Sequence, residues 1–214
     1  MSVRYKTVMK EAQAQIVIEK SKFIGYIKPV ETQEEAEAFF TSIRVKHRDA
    51  THNVPAYVLG EKFEIQKYSD DGEPSGTAGV PVVQMLVKEG ITNVVIVMTR
   101  YFGGIKLGTG GLVRAYTGIA KEALQAAGVA EVKDMDVMKV KIRYTFHGKA
   151  ENAAQKGLFT IRNTEFTDTV TLEVVCDPDR TEEVRKTFME ITAGTAEFSE
   201  EHSELEKVPV EPVE

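Results

Sequence analysis

The sequence predicts an α+β protein of two domains. Three observations point there. Val94 to Met98 are five apolar residues in a row, which reads as a strand covered on both faces, and they lead through a glycine-rich stretch into a helix-patterned segment. The later part of the chain alternates short strand-like and helix-like segments in the order βαββαβ. Between these parts the composition shifts over residues 131–136. The boundary is therefore placed near Val132, giving domains 1–132 and 133–207, with an extended, mobile tail over 208–214.

In chain order, residues 15–18 and 22–30 carry β-branched and aromatic side chains around a Lys20-Ser21 turn and read as a strand pair. Thr32 with Glu35 three residues later forms a capping box, opening a helix through Ala36, Phe39, Phe40 and Ile43 to about Lys46. A strand ending at Gly60 and a second over residues 63–68 suggest a hairpin. A helix over residues 80–89 follows, with Pro81 in its first turn and Gly90 as its stop. The central strand comes next, then a helix over residues 112–127. That helix shows apolar Leu112, Tyr116, Ile119, Ala120, Ala123 and Ala127 on one face, and Gly128 ends it. The second domain reads as strand 136–146, helix 147–155, strands 157–166 and 169–176, helix 181–192 capped by Asp179, and strand 195–205. That order is the ferredoxin-like sandwich, with helices on one face of an antiparallel sheet.

Charge and composition narrow the function classes. With 42% hydrophobic and 28% charged residues the composition is that of a folded globular chain. No window approaches the roughly 18 apolar residues of a membrane span, and residues 1–13 lack a signal-peptide core. Cys176 is the single cysteine, which excludes an internal disulfide and a cysteine-based zinc site. A cytoplasmic location without a membrane partner is expected. Residues 1–133 carry 17 Lys+Arg against 15 Asp+Glu, whereas residues 134–214 carry 10 against 18. The first domain is the better candidate for an anionic ligand.

The stretch from Gly103 to Gly111 combines many backbone N–H groups with a following helix start, an arrangement suited to phosphate. Arg114, in the expected first turn, opposes the helix dipole by roughly 0.3–1 kcal/mol unless an anion sits there. Arg100 and Lys106 are expected to converge on the same place. Thr109 stands where a nucleotide-triphosphate loop needs lysine, and Val113 where a dinucleotide fingerprint needs its third glycine. A general anion site and a tight structural turn remain. The facing loop, residues 69–79, carries Asp70, Asp71 and Glu73, which suit either Mg²⁺ held through water or a solvated Asp71-Gly72 turn. Ser75 and Thr77 lack an identifiable base. His52, near His47 and Asp49, does not match a metal-ligand spacing and is read as structural or ligand-contacting. Tyr101 and Phe102 beside Arg100 suit base stacking or core packing, with Phe102 expected to pack and Tyr101 to be exposed. His147 and His202 show no obvious partner, and Cys176 beside Asp177 is not expected to be reactive. No metal or cofactor is expected.

Two segments carry a resemblance. Residues 71–79 (DGEPSGTAG) with Pro81, and residues 100–108 (RYFGGIKLG), are similar to the two signatures of the IMPACT family. Ala50-Thr51-His52 followed by Ala56-Tyr57 is similar to a third family block, although Val54 stands where members often have cysteine. The likeness covers the whole chain and points to the two-domain bacterial YigZ/YvyE-type members. It implies a first domain like domain IV of elongation factor G, a ribosomal-protein-type βαβ fold, and a second like domain V. Eukaryotic relatives regulate translation initiation by blocking activation of an amino-acid-starvation kinase. The suggested role of the bacterial members is binding nucleic acid or the ribosome. The same first-domain fold serves small-molecule kinases, so fold alone does not decide.

The resulting reading is a non-enzymatic, translation-linked binding protein that holds RNA, the ribosome or another anionic group. The amides of Gly103, Gly104, Gly108, Thr109, Gly110 and Gly111 would donate hydrogen bonds. Arg100, Lys106 and Arg114 would supply charge and Tyr101 a stacking surface, with Asp71, Glu73, Thr77 and His52 facing them. The alternatives are an enzyme acting on a phosphorylated small molecule or peptide through Asp70, Asp71, Glu73 and His52, and a module binding a protein partner.

Overall fold

The computed structural model describes residues 3–210, and the chain divides into two compact units. Among the described residues, one comprises 4–132 and 207–210; the other comprises Val3 and 133–206.

The larger unit contains β1 (Val3–Val8), β2 (Ala12–Ile18), β3 (Ser21–Pro29), α1 (Gln33–Lys46), β4 (His52–Leu59), β5 (Ile65–Tyr68), α2 (Gly79–Lys88), β6 (Val94–Tyr101) and α3 (Gly108–Ala127). Five strands form an antiparallel sheet in the order β2-β3-β6-β4-β5, with the apolar run of β6 at its centre. Val94 to Met98 are all fully buried, as a doubly covered strand requires. Their side chains alternate between faces. Val94, Ile96 and Met98 join Phe23, Val54 and Val58 in a core completed by Val82, Leu86, Tyr116 and Ile119 of α2 and α3. Val95 and Val97 join Ile24, Tyr57 and Leu59 beneath Ala36, Phe39 and Ile43 of α1. The capping box is half formed: Thr32 Oγ1 accepts from the Glu35 N–H at 3.2 Å, but Glu35 Oε2 accepts from the N–H of Glu31, one residue before the N-cap, at 2.7 Å. Such a cap stabilises by about 1 kcal/mol.

Several boundaries move. The first hairpin turns at Glu19-Lys20, both with positive φ (45° and 63°), one residue before the expected turn. A two-residue turn of this hand matches the strand twist. β4 begins at His52, and α3 begins at Gly108, four residues early. Gly108, Thr109, Gly110 and Gly111 are thus the first helical turn, and Arg114 lies in the second.

The smaller unit follows the order β7 (Val129–Ile142), α4 (His147–Ala154), β8 (Thr160–Phe166), β9 (Val170–Cys176), α5 (Thr181–Ile191) and β10 (Glu197–Pro209), with the chain entering it within β7 and leaving within β10. The strands pair as β10-β7-β9-β8. Met138, Val140, Leu172 and Val174 pack against Ala150, Val184 and Phe188 of the two helices. Lys139 pairs with Glu200, and Arg162 with Glu173, Glu204 and Glu206, so part of this unit's acidity is internally compensated. Asp179 lies in a 3₁₀ turn, Pro178–Arg180, and α5 has no side-chain cap. His147 lies 3.8 Å from Glu151 and His202 lies 3.4 Å from Glu204, so both have partners. Burial pushes the buried Cys176 thiol up, the opposite of activation. The expected mobile tail is corrected in part. Val208 and Pro209 belong to β10, and the Val210 N–H donates to the Val129 carbonyl at 2.9 Å. Residues 211–214 of that expectation lie outside the described residues. Among the described residues no helix is long and apolar enough to cross a membrane.

Candidate functional site: a buried arginine-carboxylate cluster beside an uncapped helix

Strand register brings the first residues together. Phe23 on β3, Arg100 on β6 and His52 on β4 are direct cross-strand neighbours, a row on the face covered by α2 and α3. The loop before α2 delivers Glu73 to this row. Arg100 Nη1 donates to Glu73 Oε1 at 2.7 Å, and the Tyr116 hydroxyl, arriving from α3, donates to the same oxygen at 2.7 Å. His52 Nε2 is 3.7 Å from that oxygen. The Arg100 and Glu73 side chains are 5% and 4% exposed. Burial, followed by the hydrogen bond to Glu73, pushes the Tyr116 hydroxyl far up, so it stays a donor. The guanidinium lies over the Phe23 and Phe102 rings, 5.3 and 5.4 Å from their centroids. Its Nε is the one buried side-chain polar atom without a partner among the described residues.

All three loop carboxylates hold groups of the fold, Asp71 through one oxygen only. Asp70 accepts from the N–H groups of Gly76, Ala78 and Gly79 at 2.7–3.1 Å and so fills the amino end of α2. Asp71 Oδ2 accepts from the Asn53 N–H at 2.6 Å, filling the edge of β4 where β5 does not pair. The Asp71 carbonyl accepts from His52 Nδ1 at 2.7 Å, which leaves Nε2 facing Glu73. Thr77 is buried and its hydroxyl donates to the Pro74 carbonyl. The Mg²⁺ option for this loop is thereby corrected. Among the described residues no group of three or more His, Cys, Asp or Glu is arranged to hold a metal.

The expected convergence of cations is also corrected. Arg100 points into the sheet-helix layer and is neutralised by Glu73, whereas Lys106 and Arg114 are exposed. Those two line a separate open cavity of about 450 Å³ with Glu19, Ile105, Leu107 and Gly111. Among the described residues Arg114 makes no ion pair. Tyr101, next to Arg100 on the strand, faces the opposite side of the sheet. There its hydroxyl meets His47 Nδ1 at 2.9 Å and Asp49 at 3.3 Å, while Phe102 is 47% exposed. This reverses the expectation for the two aromatics. The close approach implied by the glycine stretch is made by the chain itself at Gly103. A Cβ there would stand 2.0 Å from the Lys20 carbonyl carbon. Gly104 and Gly108 take positive φ, and Gly110 and Gly111 lie in the first helical turn.

Three residues in or beside the cluster are not among the expected site residues. Ser21 Oγ accepts from the Gly103 N–H at 3.1 Å and from Arg100 Nη2 at 3.4 Å. Asn53 Oδ1 accepts from Thr99 Oγ1, and its own Nδ2 donates to the His47 carbonyl. Tyr116 belongs to the apolar stripe of α3 by its spacing. Its signal was available, because a buried tyrosine hydroxyl must find a partner.

His47 lies on the α1 side, bonded to both the Tyr26 and Tyr101 hydroxyls. Burial, with Lys46 adding to it, holds its pKa below the ordinary 6.5. The unfolded chain therefore takes up the proton first. This contribution to stability is complete above about pH 6.5 and is lost as pH falls toward the folded value. Urea midpoints measured from pH 8 to 5 are expected to decline across that window, and His47→Gln to flatten the decline.

The comparisons fall on these segments. A family model described as the Impact N-terminal domain matches residues 19–124, and one described as a domain of unknown function matches residues 140–195. The IMPACT family member YvyE of Bacillus subtilis (strain 168) is 43% identical over 204 residues, covering 95% of this chain and 94% of that protein. The chain belongs to the IMPACT family. The family member YigZ of Escherichia coli (strain K12) is 46% identical over 110 residues, covering 50% of this chain and 54% of its own. A solved structure titled as that of a hypothetical protein aligns with TM-score 0.57 and 29% identity, over 91% of this chain and 95% of that one. The Impact N-terminal match spans Ser21, His52, Glu73, Arg100 and Tyr116, the whole of the buried cluster.

Proposed function

We propose that this IMPACT family member is a translation-linked regulatory binding protein whose larger unit holds RNA or ribosomal phosphate at the amino end of α3. The carrying observation is a contrast between two helix ends in one unit. Asp70 fills the end of α2 with a carboxylate, whereas α3 has no side-chain cap and has exposed Lys106 and Arg114 nearby. A helix amino end with free N–H groups and nearby cations attracts an anion. Phe102, half exposed over Arg100, supplies an aromatic face in place of Tyr101. Arg100 itself supports the loop and does not contact the anion.

The order β10-β7-β9-β8 with the sequence βαββαβ supports a ferredoxin-like smaller unit, like domain V of elongation factor G. The larger unit would correspond to domain IV. Both likenesses connect with the translation role that the family resemblance implies, and that role places the chain in the cytoplasm.

The test is binding of single-stranded RNA and of ribosomes across a salt series. Lys106→Ala with Arg114→Ala is expected to weaken RNA binding roughly tenfold at low salt. It should also reduce the salt slope by about 1.4, two single-strand phosphate contacts. RNA and ribosome binding that is absent at low salt, or indifferent to this pair, overturns the proposal.

An enzymatic reading now rests on His52 and Glu73 alone, because Asp70 and Asp71 hold backbone amides. The observation that favours it is the orientation of His52, whose Nδ1 is fixed by a carbonyl while Nε2 faces a carboxylate. Turnover of a phosphorylated substrate that His52→Gln abolishes would establish it.

A further inference from the structure

The α1 side of the larger unit holds a second cavity, away from α3. Its volume is about 520 Å³, within the range of small-molecule sites. Phe40, Arg44 and Val45 of α1 form one wall, Arg48 follows the helix end, and Asn53 and Asp71 line the cavity from β4 and the acidic loop.

Two features of this cavity lack an explanation within the fold. First, Arg44 and Arg48 stand four residues apart, both exposed, and neither makes an ion pair among the described residues. A cation in the last helical turn is favourable, which accounts for Arg44 alone. A second guanidinium just beyond the helix end, lining the same cavity, adds a like charge that the fold does not offset. Second, Asp71 Oδ2 is held by the Asn53 N–H, but Oδ1 accepts no hydrogen bond from the described residues. Asp71 (φ 44°) and Gly72 (φ 86°) form a consecutive left-handed pair, the conformation of an Asp-Gly turn, and this turn brings the carboxylate to the cavity.

We propose that this cavity binds a small phosphomonoester whose carbon body carries hydrogen-bond donors. The two guanidiniums span the phosphate dianion, giving it the charge-assisted bonds that Arg forms with phosphate. The body lies along Phe40 and the exposed Val45. A hydroxyl or amino group donates to Asp71 Oδ1, the acceptor the protein leaves open. A monocarboxylate would occupy one guanidinium and leave the other unpaired, so phosphate is the better fit. Because the Asp71 carbonyl also holds His52, the ligand and the buried Glu73 cluster share one anchoring residue.

Sugar phosphates and nucleoside monophosphates share this chemistry. Calorimetric titrations of the full chain with ribose 5-phosphate, adenosine 5′-monophosphate and inorganic phosphate distinguish the sources. The first two, or one of them, are expected to bind at least about tenfold more tightly than inorganic phosphate. Arg44→Ala with Arg48→Ala should weaken all three by roughly tenfold or more. Asp71→Asn tolerates the left-handed backbone and keeps an acceptor for the Asn53 N–H. It should narrow or abolish the preference for the two organic phosphates, because inorganic phosphate gains from the loss of a like charge while the organic ligands lose an acceptor. The proposal is overturned if none of the three binds at roughly 10 mM, or if the arginine pair has no effect. It is also overturned if Lys106→Ala with Arg114→Ala removes the binding, which would assign the ligand to α3. RNA binding at α3 can fail without touching any of these outcomes.

Discussion

Glu73→Ala is expected to destabilise the larger unit by about 3–5 kcal/mol, the cost of leaving one member of a buried ion pair without its partner. The geometry makes the upper part of that range the better expectation. The Arg100 side chain is 5% exposed and lies over two aromatic rings, so no solvent route relieves its charge. The Tyr116 hydroxyl loses its acceptor in the same substitution. At the usual sensitivity of a chain this size, the melting temperature should fall by roughly 10 °C or more. Glu73→Gln keeps an acceptor for Tyr116 but removes the charge, and should lie between the variant and the parent. Tyr116→Phe loses one hydrogen bond and should cost about 1 kcal/mol. Chemical denaturation of the three variants provides the check. A loss below about 1 kcal/mol for Glu73→Ala would show that Glu73 is not the counter-charge of Arg100.

Gly103→Ala is expected to cost about 3 kcal/mol, at the upper end for overpacking. The added methyl would lie 2.0 Å from the Lys20 carbonyl carbon, 2.2 Å from its oxygen and 2.4 Å from the Ser21 nitrogen. All three are backbone atoms of a tight hairpin turn, which cannot rotate away as a side chain can. Gly110→Ala, seven residues on, is the internal control. Its nearest neighbour would be Arg114 Nη1 at 3.7 Å, and alanine in place of a helical glycine gains up to about 1 kcal/mol. Opposite signs for the two substitutions in one denaturation series are the expected result. Equal tolerance would mean that the Lys20-Ser21 backbone does not press on Gly103.

The parts of the fold legible in the sequence were those determined by local chemistry. The β6 run, the Thr32 cap and the stops at Gly90 and Gly128 each need only neighbouring residues to be recognised. The start of α3 was hidden because three of its first four residues are glycine, a weak helix former, and no capping side chain marks it. Tertiary packing of Leu112, Ala115 and Tyr116 holds that turn in place. The site was less legible because its bonds are long-range. Asp71 meets Asn53, and Glu73 meets Arg100 and Tyr116, across separations of 18, 27 and 43 residues. Composition cannot separate such carboxylates from a solvated turn. The separation of Arg100 from Tyr101 was available, since adjacent residues on a strand face opposite sides.

The Ser21 hydroxyl defines the shortest piece of chain able to build this site. It is the acceptor for both Gly103 and Arg100, although it lies about eighty residues upstream of them. A fragment beginning after the β2–β3 hairpin would retain both family signatures and Tyr116. It would nevertheless lack the surface against which the glycine stretch is moulded. The hairpin is therefore part of the site's foundation: β3 pairs with β6 and supplies the fully buried Phe23 and Ile27, so the signatures alone do not build it.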